Sequence, residues 1–138
     1  METNYKKAKT IILSITLSLA VFFIIIGSVI VGGTKGSANN PIRLYEDNPK
    51  RIHAEYGEGY YYTYKSDTSG YYYIYIDGAQ LYDVAGATGT VSTAYREIYN
   101  GYTYDYRYEV YLSGYNTDHR ILVESRTSSK IRIVIVKQ

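Results

Sequence analysis

Cysteine is absent from the chain, so no disulfide, thiolate metal centre or nucleophilic thiol can operate in it. A domain exported in this form is held by its core alone. That is common on bacterial and archaeal surfaces, whereas small secreted eukaryotic domains tend to be disulfide-dense. Tryptophan is also missing, and both phenylalanines, Phe22 and Phe23, fall in one apolar run near the N-terminus. An excess of one charge sign is missing as well. The formal +2 arises from Lys6, Lys7 and Lys9 against Glu2, while the chain after residue 33 carries twelve basic and twelve acidic side chains. A balanced domain of this kind carries no nucleic-acid signal. At 138 residues there is room for one compact domain, which excludes a multi-domain enzyme.

What is present divides the chain between two solvents. Thr10 to Val31 is a run of 22 uncharged residues. As a helix it would span roughly 33 Å at about 1.5 Å per residue, enough for a hydrocarbon core of about 30 Å. A lone apolar stretch can satisfy its backbone in lipid only as a helix. It is longer than the apolar region of a cleaved signal peptide, and the small-residue site Gly36-Ser37-Ala38 lies well beyond its end. The expectation is an uncleaved signal anchor, with cleavage before Asn39 as the alternative. Lys6, Lys7 and Lys9 precede the helix and only Lys35 closely follows it, which keeps the N-terminus in the cytoplasm. The chain therefore reads as four parts. Residues 1–9 are a basic cytoplasmic N-terminus and residues 10–32 a single-pass anchor in the cell membrane. Residues 33–41 are a flexible tether ended by Pro41, and residues 42–138 an extracellular domain. Thr10, Ser14 and Ser18, or Ser28 with Gly32, could bring a second helix close, but such residues are frequent in single anchors that associate with nothing, so the expected partner of this segment is the bilayer, with a second copy as the alternative.

From residue 42 the hydrophobic period becomes two. Tyr102, Tyr104, Tyr106, Tyr108, Val110 and Leu112 alternate with Thr103, Asp105, Arg107, Glu109 and Tyr111, which predicts a half-buried strand with one continuous apolar face. Ile131, Ile133 and Ile135 predict a terminal strand whose second face, Val134 and Val136, becomes apolar towards its end; Ile121 and Val123 mark another. Residues 60–65 and 71–76 read as two strands of a hairpin around Ser66 to Gly70. Asp77-Gly78, Gly86 to Gly89 and Asn100-Gly101 are turn signals. Seven or eight strands and no helix predict an all-β domain, an antiparallel β-sandwich or barrel.

Ser69-Gly70-Tyr71-Tyr72-Tyr73-Ile74, Leu81-Tyr82-Asp83-Val84-Ala85-Gly86, Tyr108 to Gly114 and Arg120-Ile121-Leu122-Val123-Glu124 resemble, in order and separation, the bacterial pre-peptidase C-terminal domain. His119 and Arg120 stand where that family's pattern has an aromatic. The resemblance covers residues 56 to 137 and implies a jelly-roll-like sandwich with an accessory, non-catalytic role.

Nineteen of the twenty tyrosines follow residue 40. Tyrosine favours strands, buries a large ring and keeps a hydroxyl that needs a partner, so about half are expected in the core. The consecutive runs Tyr60, Tyr61, Tyr62 and Tyr71, Tyr72, Tyr73 cannot all point inward, because successive strand residues face opposite sides. Tyr61, with either Tyr72 or its two neighbours, is expected on an outer face. These six residues form the candidate surface for a protein or glycan partner. Tyr104, Tyr106 and Tyr108 are expected in the core or beneath a neighbouring sheet. The histidines, His53 and His119, lack metal spacing and read as exposed loop residues. No serine sits in a nucleophile elbow, and Asp67, Asp77 and Asp83 read as turn caps. The expected function is a membrane-anchored binding or assembly module without catalysis, cofactor or metal. The alternative is a pilin-like filament subunit with the apolar helix in the filament core.

Overall fold

A computed structural model describes residues 35–138, together with a short antiparallel pair, Tyr5–Lys6 with Ala8–Thr10. The segment expected to cross the membrane lies, from Ile11 onward, outside the described residues. Among the described residues no helix is long and apolar enough to cross a membrane. The chain divides into two units, residues 1–40 and 41–138. In the described part of the first, Gly36 N–H donates to Asn40 O at 2.8 Å and Asn40 N–H to Ser37 O at 3.0 Å, closing a turn within the tether.

The second unit is all β. Its strands are β1 (Ile42–Leu44), β2 (Lys50–His53), β3 (Gly59–Ser66), β4 (Gly70–Asp77), β5 (Ala79–Val84), β6 (Ala87–Tyr99), β7 (Tyr102–Leu112), β8 (Thr117–Ser125) and β9 (Lys130–Lys137). They form a five-stranded sheet in the order β2-β9-β4-β7-β6 and a four-stranded sheet in the order β1-β3-β8-β5. Every neighbour is antiparallel except β1, which runs parallel to β3 over three residue pairs.

The inward faces supply one core. Ile42, Leu44, Tyr62, Tyr64, Val84, Ile121 and Val123 come from the smaller sheet, and Tyr72, Ile74, Ile76, Tyr108, Val110, Leu112, Ile131, Ile133 and Ile135 from the larger. This is the period-two pattern realised as a two-layer sandwich. Asn100 (φ 51°) and Gly101 (φ 80°) both adopt the left-handed conformation between β6 and β7, as a two-residue hairpin turn with the strands' own twist demands.

Residues 59–77 depart from the expected hairpin. The two strands exist, but β3 pairs with β1 and β8, whereas β4 pairs with β7 and β9 in the other sheet. The segment Asp67 to Ser69 therefore arches across the sandwich. Tyr64 and Tyr72 meet edge to face across the layers, ring centroids 5.6 Å apart, and the Tyr72 hydroxyl donates to Thr68 O at 2.9 Å within the arch. A hairpin would have left both sets of inward rings side by side on one sheet. Facing each other, they close the core from both layers.

Candidate functional site

In the five-stranded sheet, alternation sends a second set of side chains away from the core. These are Arg132, Val134 and Val136 on β9, Tyr71, Tyr73 and Tyr75 on β4, and Arg107, Glu109 and Tyr111 on β7. The β7 strand does not keep one face throughout. Tyr106, Tyr108, Val110 and Leu112 serve the inter-sheet core, but Tyr102 and Tyr104 join the outward cluster. The change falls at Asp105, where the β6–β7 ladder skips the pair with Arg96, whose φ of 54° is left-handed. An extended strand cannot hold such a residue without a local irregularity, and this one in β6 lies opposite the point where β7 changes face. The expectation of one continuous face from Tyr102 to Leu112 is thus corrected, and Tyr104 is buried on the opposite side from Tyr108.

The outcome is a layer of rings on the outside of a sheet. Tyr75, Tyr104 and Val134 are buried there, flanked by half-buried Tyr73, Tyr99, Tyr102 and Val136. Tyr75 stacks on Tyr99 at 4.9 Å, Tyr104 lies 5.5 Å from Tyr75 and 4.9 Å from Tyr102, and Tyr71 meets Tyr111 edge-on at 5.0 Å. Two guanidiniums lie over this layer. Arg107 sits 4.5 Å above Tyr73 and pairs with Glu97 at 3.0 Å; Arg132 sits 3.9 Å above Tyr102, and its Nε–H donates to the Tyr104 hydroxyl at 3.1 Å. Below Arg132 the Tyr102 hydroxyl donates to Asp77 Oδ2 at 2.9 Å. Asp77 Oδ1 accepts the Asp105 N–H at 3.2 Å, and Asp105 Oδ2 accepts the Gly78 N–H at 3.0 Å. Asp77, expected to cap its own turn, instead accepts from the Asp105 N–H and the Tyr102 hydroxyl, and the turn's Gly78 N–H is capped by Asp105. Burial raises the pKa of Asp77 above the ordinary carboxylate value, opposed by the Tyr102 hydrogen bond and reinforced by Asp105. Tyr102 is raised chiefly by its hydrogen bond to the Asp77 carboxylate, and Tyr75 chiefly by burial, with Arg107 opposing.

The six tyrosines singled out from the sequence do not share a surface, because their strands belong to different sheets. Tyr62 and Tyr72 are wholly buried at 0% exposure and can touch no partner; Tyr72 faces inward and its neighbours outward. Tyr71 is 54% exposed on the ring layer, and Tyr73 lies half-buried beneath Arg107. Tyr61 lies on the outer face of the other sheet, 5.3 Å from the Arg120 guanidinium carbon. Tyr60 packs against the core while its hydroxyl accepts the Glu55 N–H at 2.9 Å. Tyr75, Tyr99, Tyr102, Tyr104, Arg107 and Arg132 were not signalled by runs or spacing. Arg107 and Arg132 stood at outward positions in the alternation, but only cross-strand register brings them onto one layer.

The two histidines part company. His53 is exposed, on β2 rather than in a loop, and pairs with Glu55 at 3.0 Å. His119, expected in an exposed loop, is instead 1% exposed on β8. Its Nδ1–H donates to Ala85 O at 2.9 Å, so Nε2 accepts the Ser66 hydroxyl at 3.0 Å. His119 and Ser66 are both closed off from solvent, and through His119 the Ser66 hydroxyl of β3 is tied to Ala85 in the β5–β6 turn. Among the described residues no three His, Asp or Glu side chains are grouped to hold a metal ion. No family model matches the chain, and neither a curated protein nor a solved structure matches it.

Proposed function

We propose that the chain is a membrane-anchored surface module that binds a protein or glycan partner through the outer face of its five-stranded sheet. Residues 10–32 serve as the anchor, and the β-domain lies outside the cell. The observation that carries this reading is the ring layer itself. A sheet face turned away from the core holds buried Tyr75 and Tyr104, exposed Tyr71 and two stacked guanidiniums. A sheet face that serves solvation alone is filled by small polar and charged side chains. Aromatic rings and arginine are the residue types enriched where proteins meet partners, since both offer large contact area at small entropic cost.

The likeness to the pre-peptidase C-terminal domain belongs to this proposal as an accessory role. Two of its motif pieces meet where the Gly114 N–H donates to the Ser69 hydroxyl at 2.9 Å, and Gly86 (φ 84°) lies against His119, which stands where that family has an aromatic.

The test is capture of the partner by cells displaying the full chain. Tyr71→Ser with Tyr111→Ser should lower capture at least several-fold at unchanged surface abundance, and protease on intact cells should remove the chain from about residue 34 onward. Unchanged capture by the double variant, or a protease-resistant domain beside a digested N-terminal tag, would refute the proposal.

A further inference from the structure

The outermost strand of a sheet leaves backbone N–H and C=O groups unpaired, and the two sheets of the β-domain have such edges at β1, β2, β5 and β6. Three of these are guarded. The strand β1 is three residues long and carries Arg43, paired to Asp118, while β2 is four residues long and carries Lys50, Arg51 and His53. On β5 the Leu81 N–H donates to the Tyr108 hydroxyl at 3.2 Å, and Gln80 Nε2 to the Tyr106 hydroxyl at 3.0 Å. The fourth edge has no such guard. Residues 84–95 contain neither charge nor proline, and residues 88–93 of β6 are exposed on both faces. Register with β7 sets Thr93 beside Tyr108 and Tyr95 beside Tyr106 on the core-side face, and alternation adds Val91. Although they point to that side, Tyr95 is 68% exposed and Val91 40% exposed.

We propose that β6 pairs antiparallel with β6 of a second copy of this chain, about a two-fold axis through Thr93. An axis perpendicular to the sheet keeps every side chain on its own face and sets each residue opposite the one equally far beyond the axis. Thr93 then meets Thr93, Val91 of each copy meets Tyr95 of the other, and Ser92 meets Ala94. Thr–Thr and aromatic-to-β-branched pairs are those that stabilise antiparallel strands. Charge follows the same register. Arg96 falls opposite Thr90, and Glu97, already paired to Arg107, falls opposite Gly89, so no charge meets its like. This match selects the occupant: the sequence that complements β6 is β6 itself read in reverse, and moving the axis to Arg96 would set two guanidiniums against each other. Gly89 (φ 75°) and Arg96 (φ 54°) break the strand on either side of the paired stretch. Because the same edge serves both copies, the pairing closes as a dimer and leaves nothing to extend into a fibre. The two five-stranded sheets become one, with both ring layers on the same side.

The experiment is disulfide mapping of the full chain in non-ionic detergent, where the absence of native cysteine leaves each introduced thiol alone. Under mild oxidation Thr93→Cys should cross-link to a dimer. Ser92→Cys mixed with Ala94→Cys should cross-link at least tenfold faster than either chain alone, since a residue off the axis lies too far from its own counterpart to bridge. Adding Thr93→Lys to both of those chains sets two ammoniums on the axis and should slow the mixed reaction at least tenfold. Thermal melting checks that the variants fold; should the lysine chains melt early, the ratio of mixed to single rates decides. An association through residues 10–32 alone would give no such dependence on position in β6. No cross-link at Thr93→Cys, a mixture no faster than its components, or a rate untouched by a folded Thr93→Lys chain would overturn the proposal. So would a Thr93→Cys chain that, on producing cells, links to a different protein and not to itself.

Discussion

At the residue scale, tyrosine takes three roles that composition cannot tell apart. Tyr72 is a core ring with its hydroxyl satisfied in the arch, whereas Tyr62 is a core ring whose buried hydroxyl has no hydrogen-bond partner among the described residues. An unpaired buried hydroxyl forfeits its hydration, a cost of about 1–3 kcal/mol. Tyr62→Phe should therefore hold or raise the thermal midpoint. Tyr72→Ala should cost on the order of 3–5 kcal/mol by opening a cavity between the sheets. Chemical denaturation of both variants checks this, and a Tyr62→Phe loss as large as that of Tyr72→Ala would mean the hydroxyl has a partner. Alternation correctly marked Ile131, Ile133 and Ile135, Ile121 with Val123, and Val110 with Leu112 as inward, and it marked the apolar second face at Val134. It left open which member of Tyr71, Tyr72 and Tyr73 turned inward, because three like residues contain no phase.

At the scale of the element, strand existence was legible and strand partnership was not. The Asn100-Gly101 turn announced its hairpin because two adjacent left-handed residues of those types have few other uses. The arch between β3 and β4 used the same polar, glycine-ended vocabulary as a hairpin loop, so local chemistry could not separate the two. The kink in β6 was hidden for a different reason, since arginine is no signal for a left-handed conformation. Arg96 holds φ 54° where the face of β7 changes. Arg96→Val should destabilise the domain by about 1–2 kcal/mol, because a β-branched side chain tolerates that conformation worst, while Arg96→Gly should not. Equal midpoints for all three chains would show that the kink is not set by this residue. The free edges are also managed at this scale. The outer strands β1 and β2 are only three and four residues long. The long edge β6 is interrupted at Gly89 (φ 75°) and Arg96, which confines any flat template to the stretch between them.

For the whole molecule, burial of so many phenols makes stability depend on alkaline pH. Burial raises Tyr60, Tyr62, Tyr64, Tyr75 and Tyr108 above the ordinary phenol value of about 10. The folded state therefore holds the neutral form more tightly than the unfolded one. The sign follows: stability is full below about pH 10 and declines as pH rises, since only the unfolded chain releases those protons readily. Tyrosine absorbance titration should show a late phase that coincides with loss of β-type circular dichroism. Full ionisation with the fold intact would contradict the burial. The sequence by itself determined the all-β class, most strand positions, the apolar residues of the inter-sheet core and the surplus of aromatic rings beyond what one core can hold. These follow from period and turn chemistry, which act between residues near in the chain. Tertiary structure alone decided that β3 and β4 lie in opposite sheets, that His119 is buried, and that Tyr75, Tyr99, Tyr102, Tyr104, Arg107 and Arg132 share one outer layer. Those facts depend on register between strands distant in sequence, and a period of two is the same whichever strand lies alongside.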